Sequence, residues 1–283
     1  MEDSAKILSV QDISCLGQCS NTVMLPLLSA AGLETVVLPT ALLSTHTGGF
    51  RGFTFLDLTE EMEKILAHFC ALSVRFDYLC TGYFGSREQI QLLKRACEEV
   101  LVPGALRFID PVMGDNGQLY SIYDETYVSA MRSLCRGADY ITPNLTEACL
   151  LAGVPYAGER YDRARAGSLL AALHALGAKN ILLTGVRFDD ATIGVVGMDA
   201  KGATFTASAP FVDRHFHGTG DVLAGALFGN LARGVPFARA AHRAVTFVSH
   251  CIADTVPVMD KHWYGLRFEG RLWEIAASPD TEI

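Results

Sequence analysis

Short apolar runs with the look of buried strands alternate with longer runs of helical spacing along this chain, and that alternation leaves few folds open. Strand-like segments fall at 6–11, 34–39, 78–81, 106–110, 140–141 and 180–184. Helical patterns fall at 19–31, 58–72, 86–100, 124–135, 144–152, 162–176, 220–232 and 237–253. Segments 192–198 and 203–206, joined across Lys201-Gly202, read as a hairpin. Strands separated by helices pair through crossovers, so an α/β fold is expected: a mostly parallel central sheet with helices on both faces. The glycine-rich and polar breaks follow strands, at the carboxyl ends where open α/β sheets bind ligands. No Pro/Ser linker and no internal repeat divides residues 1–283, so one domain is expected. The run 41–55 (ALLSTHTGGFRGFTF) departs from the pattern, and its Thr, Gly and Phe content suits a flap over the site.

Composition narrows the class. Half of the 283 residues are hydrophobic and 19% are charged, which excludes disorder and low-complexity classes. The formal net charge is −8 and no long basic run exists, which argues against nucleic acid or an anionic membrane as partner. A phosphate would then have to be held by backbone dipoles or a metal ion. The 8 cysteines include no C-x-x-C pair and are scattered among apolar runs, as free thiols in a reducing cytoplasm are. Residues 1–6 lack the apolar core of a signal peptide, and no stretch is apolar enough for a transmembrane helix.

Three segments carry chemistry. In His217-Gly-Thr-Gly-Asp221 the glycines leave backbone N–H groups uncovered at the start of a helix, where the dipole adds to them. Such a turn holds a phosphate or a developing oxyanion, with Asp221 placed to face a substrate hydroxyl. The small residues Ala224, Gly225 and Ala226 allow close packing beneath the turn; an ordinary glycine turn with a helix-start acid would read the same way. In Asp110-Pro-Val-Met-Gly-Asp115-Asn-Gly117 two carboxylates lie at and beyond a strand end, oxygen ligands of the kind Mg²⁺ takes, although Asp115-Asn-Gly117 is also plain turn chemistry. In Thr142-Pro-Asn144-Leu-Thr-Glu147 polar groups sit at a strand end and first helical turn, and the Asn144 to Glu147 spacing is equally that of a capping box.

Other candidates carry less. His215-x-His217 lacks a third ligand at suitable spacing and reads as structural or surface. Cys15 and Cys19 read as a pair of buried or substrate-lining thiols, and Tyr83-Phe84 as core with a stacking option at a strand end. Together the three segments describe phosphoryl transfer: oxygen ligands for Mg²⁺, an anion hole and a base. A Walker A motif, the protein-kinase set and a Rossmann GxGxxG are absent from the sequence.

In order and approximate spacing these segments resemble the metal, phosphate and catalytic segments of the ribokinase-like superfamily, and within it the pyridoxal/pyridoxamine kinases. Gln11-Asp-Ile-Ser, Cys19-Ser-Asn21, Ser44-Thr-His-Thr47 and Thr81-Gly-Tyr83-Phe-Gly-Ser86 resemble the substrate-side segments of that branch, and the similarity spans about residues 6–255. The resemblance implies a three-layer sandwich and ATP-dependent phosphorylation of the 5′-hydroxymethyl group of a vitamin B6 vitamer, in a cytoplasmic homodimer. It implies Mg²⁺, with a monovalent cation as an optional second ion. Asp221 would be the base, and the N–H groups of Gly218, Thr219 and Gly220 would stabilise the transferring phosphoryl. Asp110, Asp115, Thr142 and Glu147 would organise Mg²⁺ and the ATP phosphates, partly through water. Asn144, Thr184, Thr219 and Asp115 would serve the nucleotide, and Asp12, Thr40, Thr47 and Tyr83 the pyridine ring.

Two departures from the family pattern have consequences. Asp12 stands where Ser commonly touches the pyridine ring, and a carboxylate there favours pyridoxamine or another cationic ring. Gly185 stands where relatives often carry a side chain, so the nucleotide groove should be open or be filled by Arg187. Two other readings stay open at this stage: a hydroxymethylpyrimidine kinase of thiamine biosynthesis, prompted by Asp12, and a non-catalytic B6- or nucleotide-binding protein, against which the intact 218–221 turn argues.

Overall fold

A computed structural model describes residues 5–158 and 160–278; most of the N-terminal run 1–6 lies outside them. The strands are β1 (Lys6–Leu16), β2 (Glu34–Thr45), β3 (Phe55–Asp57), β4 (Phe76–Thr81), β5 (Leu101–Ile109), β6 (Gly114–Asp115), β7 (Gln118–Leu119), β8 (Tyr140–Ile141), β9 (Asn180–Val186), β10 (Thr192–Met198) and β11 (Thr204–Pro210). The helices are α1 (Asn21–Ala30), α2 (Thr59–Ala71), α3 (Arg87–Val100), α4 (Glu125–Cys135), α5 (Leu145–Ala152), α6 (Arg163–Ala175), α7 (Thr219–Ala232), α8 (Phe237–Thr255) and α9 (Leu272–Ala276).

All strands but β6 and β7 form one 9-stranded sheet in the order β11-β10-β9-β8-β5-β4-β1-β2-β3. From β2 to β9 every neighbouring pair is parallel. Antiparallel β10–β11 and β3 finish the two edges. The sheet separates two cores. One gathers Met62, Ile90, Val128, Ala148 and Leu170 from α2 to α6; the other gathers Leu27, Phe228, Phe247 and Ile275 from α1, α7, α8 and α9. The expected α/β fold with helices on both faces is what forms. Helix starts follow local chemistry: the Ser86, Asp124, Asn144 and Asp162 side chains cap α3, α4, α5 and α6.

The main departures from the sequence reading are extensions. β1 runs past Gln11 to Leu16 and β2 past Pro39 to Thr45, paired in parallel as far as Leu16 and Thr45. Ala41, Leu42 and Leu43 then pair with β3, so the two ends of the expected flap are sheet and the larger part, 46–54, is loop. These extensions carry Ser, Thr and Cys instead of an apolar alternation, which hid them. β6, β7 and α9 were also not foreseen, being too short for a periodic signal. Beneath the glycine turn, α7 meets α1 closely: a Cβ at Gly225 would press on Leu27, so the small-residue packing expected there is present.

Candidate active site

The parallel strand ends open into a cleft of about 560 Å³. Segments distant in sequence line it: Asp12 and Ser14 from β1, Cys19 and Ser20 before α1, His46, Thr47 and Phe53 from the loop 46–54, and Tyr83 after β4. Asp110, Val112, Tyr120, Thr142, Asn144, Glu147 and Thr184 form another stretch of wall, and Gly218, Gly220 and Asp221 close it. No Lys or Arg is among the described residues that line it.

Asp221 lies in the first turn of α7, behind Gly218 in the left-handed conformation (φ +75°). A Cβ at Gly218 would fall on the Gln18 carbonyl oxygen, so both backbone and space require glycine here. The first amides of a helix have no intrahelical partner, and Gly218 and Gly220 put this turn on the cleft wall. Burial, together with the charges of Asp110 and Asp12, pushes the Asp221 carboxyl up to about 8. The Ser20 backbone N–H opposes that rise, and Ser20 itself holds a left-handed φ of 50°.

Burial pushes Asp110, just past β5, up to about 7. Glu147 is buried and also pushed up, by burial and by the charge of Asp110. Its Oε2 accepts from the Asn144 N–H at 2.9 Å and its Oε1 from the Met113 N–H at 3.1 Å, while the Glu147 N–H donates to Asn144 Oδ1 at 2.9 Å. The capping box is therefore formed, and Glu147 still lines the cleft. Asn144 Nδ2 donates to the Gly114 carbonyl at 2.9 Å and ties the two acidic segments together. The Thr142 hydroxyl beside Asp110 falls short of hydrogen-bond geometry, and its Oγ1 is buried without a partner.

Asp115 is exposed on the β6–β7 hairpin and does not line the cleft; its charge still reaches Glu147 and Tyr120. Thr40 is a correction. It is fully buried, its hydroxyl donates to the Tyr83 carbonyl at 2.8 Å and its own carbonyl accepts from Gln89 Nε2 at 2.9 Å. It braces Tyr83 instead of bordering a ring. Thr219 is likewise off the lining, between Gly218 and Gly220, which are on it. Cys19 lines the cleft while Cys15 is exposed, so the two thiols are not a pair. A side chain at Gly185 would meet open space, and Arg187 does not fill it because its guanidinium lies 3.6 Å from the Phe211 ring centroid.

His46 lines the cleft although motif reading passed over it, as it did Ser14, Ser20 and Tyr120. His46 Nδ1 accepts from the Gly48 N–H at 3.1 Å, so Nε2 carries the hydrogen that bonds the Tyr264 carbonyl at 2.9 Å. Its ring lies 5.0 Å from Phe50 and 5.0 Å from His217, and Phe50 lies 4.6 Å from Trp263. His217 lines the cleft as well. Only its place next to Gly218 could have hinted at this.

An all-oxygen donor set, carboxyls raised chiefly by burial and an orphaned Thr142 hydroxyl fit a hard divalent cation. Among the described residues no group of three or more His, Cys, Asp or Glu is placed to hold a metal by itself. The fit is therefore to an ion that keeps much of its water or bridges to phosphate, as Mg²⁺ does.

Comparison with known proteins agrees with this geometry. Residues 25–264 match the phosphomethylpyrimidine kinase family. A pyridoxine/pyridoxal/pyridoxamine kinase of Bordetella avium is 28% identical over 263 residues, covering 88% of this chain and 85% of that protein. A Bacteroides thetaiotaomicron protein described as phosphomethylpyrimidine kinase-like, in a crystal form with pyridoxal, superposes with a TM-score of 0.92 at 35% identity over 99% of this chain and 98% of its own. Pyridoxal kinase from Leishmania donovani, in complex with ADP and pyridoxamine, superposes with a TM-score of 0.84 at 25% identity over 96% of each chain. No helix among the described residues is long and apolar enough to cross a membrane. By its matched length, its sheet order and the cleft at its strand ends, the chain belongs to the pyridoxal kinase family of the ribokinase-like superfamily.

Proposed function

We propose that the protein transfers the γ-phosphoryl group of ATP to the 5′-hydroxymethyl group of a vitamin B6 vitamer. One observation carries the reading: Asp221, at the amide-rich start of α7, shares a single cleft with the Asp110–Glu147 acid pair and with Asp12 and Tyr83. Asp221 accepts the hydroxymethyl proton as that oxygen attacks phosphorus. A carboxyl raised to about 8 is a stronger base than an ordinary one and suits proton transfer near neutral pH. The N–H groups of Gly218, Thr219 and Gly220 meet the charge on the transferring oxygens. Asp110, Asp115, Thr142 and Glu147 would hold Mg²⁺. When bound, that ion neutralises phosphate charge that a cleft without Lys or Arg cannot. Asn144 and Thr184, bridged backbone to backbone, shape the nucleotide wall, and Gly185 leaves it open. Tyr83 offers a ring face to the pyridine, beside Thr47.

The name of the matching family favours a second reading, phosphorylation of hydroxymethylpyrimidine. A panel of pyridoxamine, pyridoxine, pyridoxal and hydroxymethylpyrimidine with ATP and Mg²⁺, followed by ADP release, decides between them. Turnover of a B6 vitamer with the higher kcat/KM is the expected result. Preference for the pyrimidine installs the second reading, and tight binding with no ADP release makes the chain a binder. The family resemblance supports a cytoplasmic homodimer, which sedimentation of the purified chain tests.

A further inference from the structure

Asp12 is 5% exposed, yet its carboxyl belongs to the cleft. It stands where the β1–β2 register shifts between Gln11 and Ile13, and β2 gains a residue opposite it. Such an irregularity re-aims a side chain, and here it turns an acid into a ligand site. Its side-chain hydrogen bonds come from hydroxyls: Ser14 Oγ donates to Oδ2 at 2.9 Å, and Ser20 is the other hydroxyl on it, while the His46 ring acts on it only through space. The field of Asp12 acts on Tyr83, Cys19 and Asp221, whereas Glu147 feels Asp110 and Asp115. Asp12 therefore lies on the ring side of the base, apart from the Mg²⁺ segments.

We infer that Asp12 selects the substrate: it receives a cationic aminomethyl group on the carbon next to the one bearing the hydroxymethyl that faces Asp221, so that pyridoxamine is preferred. The inference rests on the B6 reading above. Its physical basis is donor count. An ammonium brings a charge and three donors to a carboxylate, a hydroxymethyl one neutral donor, and an aldehyde only an acceptor. The order pyridoxamine, then pyridoxine, then pyridoxal follows. Burial also pushes the Asp12 carboxyl up, a penalty that an arriving cation relieves.

The test measures kcat/KM of the full-length chain for the three vitamers and hydroxymethylpyrimidine, with ATP and Mg²⁺, for the wild type, Asp12→Asn and Asp12→Ser. The wild type should follow the stated order. Both variants should lower the amine-to-aldehyde ratio of kcat/KM by about 10-fold or more, the scale of a lost charged hydrogen bond. General damage to the fold lowers kcat/KM for the amine and the aldehyde alike and leaves that ratio in place. A wild type that prefers pyridoxal, or variants that keep the wild-type ratio, overturn the inference while leaving the B6 reading intact. Failure of all three vitamers, or preference for the pyrimidine, overturns the B6 reading itself. If neither variant folds, the wild-type order alone decides.

Discussion

The two ends of the cleft are built on opposite plans. At the phosphate end, short contiguous segments make their own geometry: the capping box at 144–147, the 110–115 strand end and the glycine turn at 218. They leave demand unmet there, with repelling carboxylates and an unpartnered Thr142 hydroxyl. At the vitamer end almost everything is already paired. His46 is hydrogen-bonded on both ring nitrogens, Phe50 packs on Trp263, and Thr40 holds the Tyr83 backbone. A site that must bind a polyanion through a cation keeps unsatisfied oxygens, at a cost in stability. A site that must recognise a small flat ring gains from rigid walls. Asp221 joins the two, since it feels Asp110 from one side and Asp12 from the other.

Breaking the junction should have the largest effect. Asp221→Asn is expected to lower kcat by about 10²- to 10⁴-fold, the range for a general base, with circular dichroism unchanged. Near-normal turnover would take the base role away from Asp221. Gly218→Ala should lower activity by about 10²-fold or more and destabilise the fold by about 1–3 kcal/mol, because the Gln18 carbonyl and the left-handed φ both oppose a Cβ. Thermal unfolding and initial rates read the two effects separately.

At the phosphate end, Glu147→Gln should raise KM for the Mg²⁺–ATP complex by about 10-fold with a smaller effect on the vitamer KM, by analogy with lost metal-orienting groups. Equal rises in both constants would erase the distinction between the ends. At the vitamer end, Trp263→Ala loosens the flap and should raise vitamer KM a few-fold while leaving the KM for ATP in place.

The smallest effect is on stability against pH in chelator-treated protein. Asp110 and Asp221 are raised to about 7 and about 8, and Glu147 is raised as well. Between the unfolded carboxyl pKa values near 4 and these raised ones, the folded chain binds more protons than the unfolded chain. Stability should therefore fall as pH rises from about 5 to about 8. Asp110→Asn should flatten the slope, and added Mg²⁺ should reverse part of it. A Tm that climbs with pH in the chelated wild type would contradict the repulsion described here.

The same contrast explains what could be read from the residues alone. The phosphate end was legible because its devices are local: a cap and its partner three residues apart, a turn glycine, an acid at a strand end. The vitamer end was not, because its contacts span the chain. Nothing near His46 announces Tyr264, and nothing near Thr40 reveals that its hydroxyl is spent on the Tyr83 carbonyl instead of a ligand. Asp12 was visible as an acid, but not as one that Ser14 and Ser20 hold at the cleft wall.

Periodicity and turn chemistry, which act over a few residues, determined the α/β order of elements and the identities of Asp110, Glu147 and Asp221. Tertiary structure decided how far β1 and β2 run, that the loop 46–54 meets Trp263 and Tyr264, that Asp115 is exposed off the cleft lining and Thr40 is buried, and that the charge of Asp110 raises Glu147. Those outcomes depend on burial and on distances through space. Such distances exist only once the parallel strands have brought loops from both halves of the chain to one edge of the sheet.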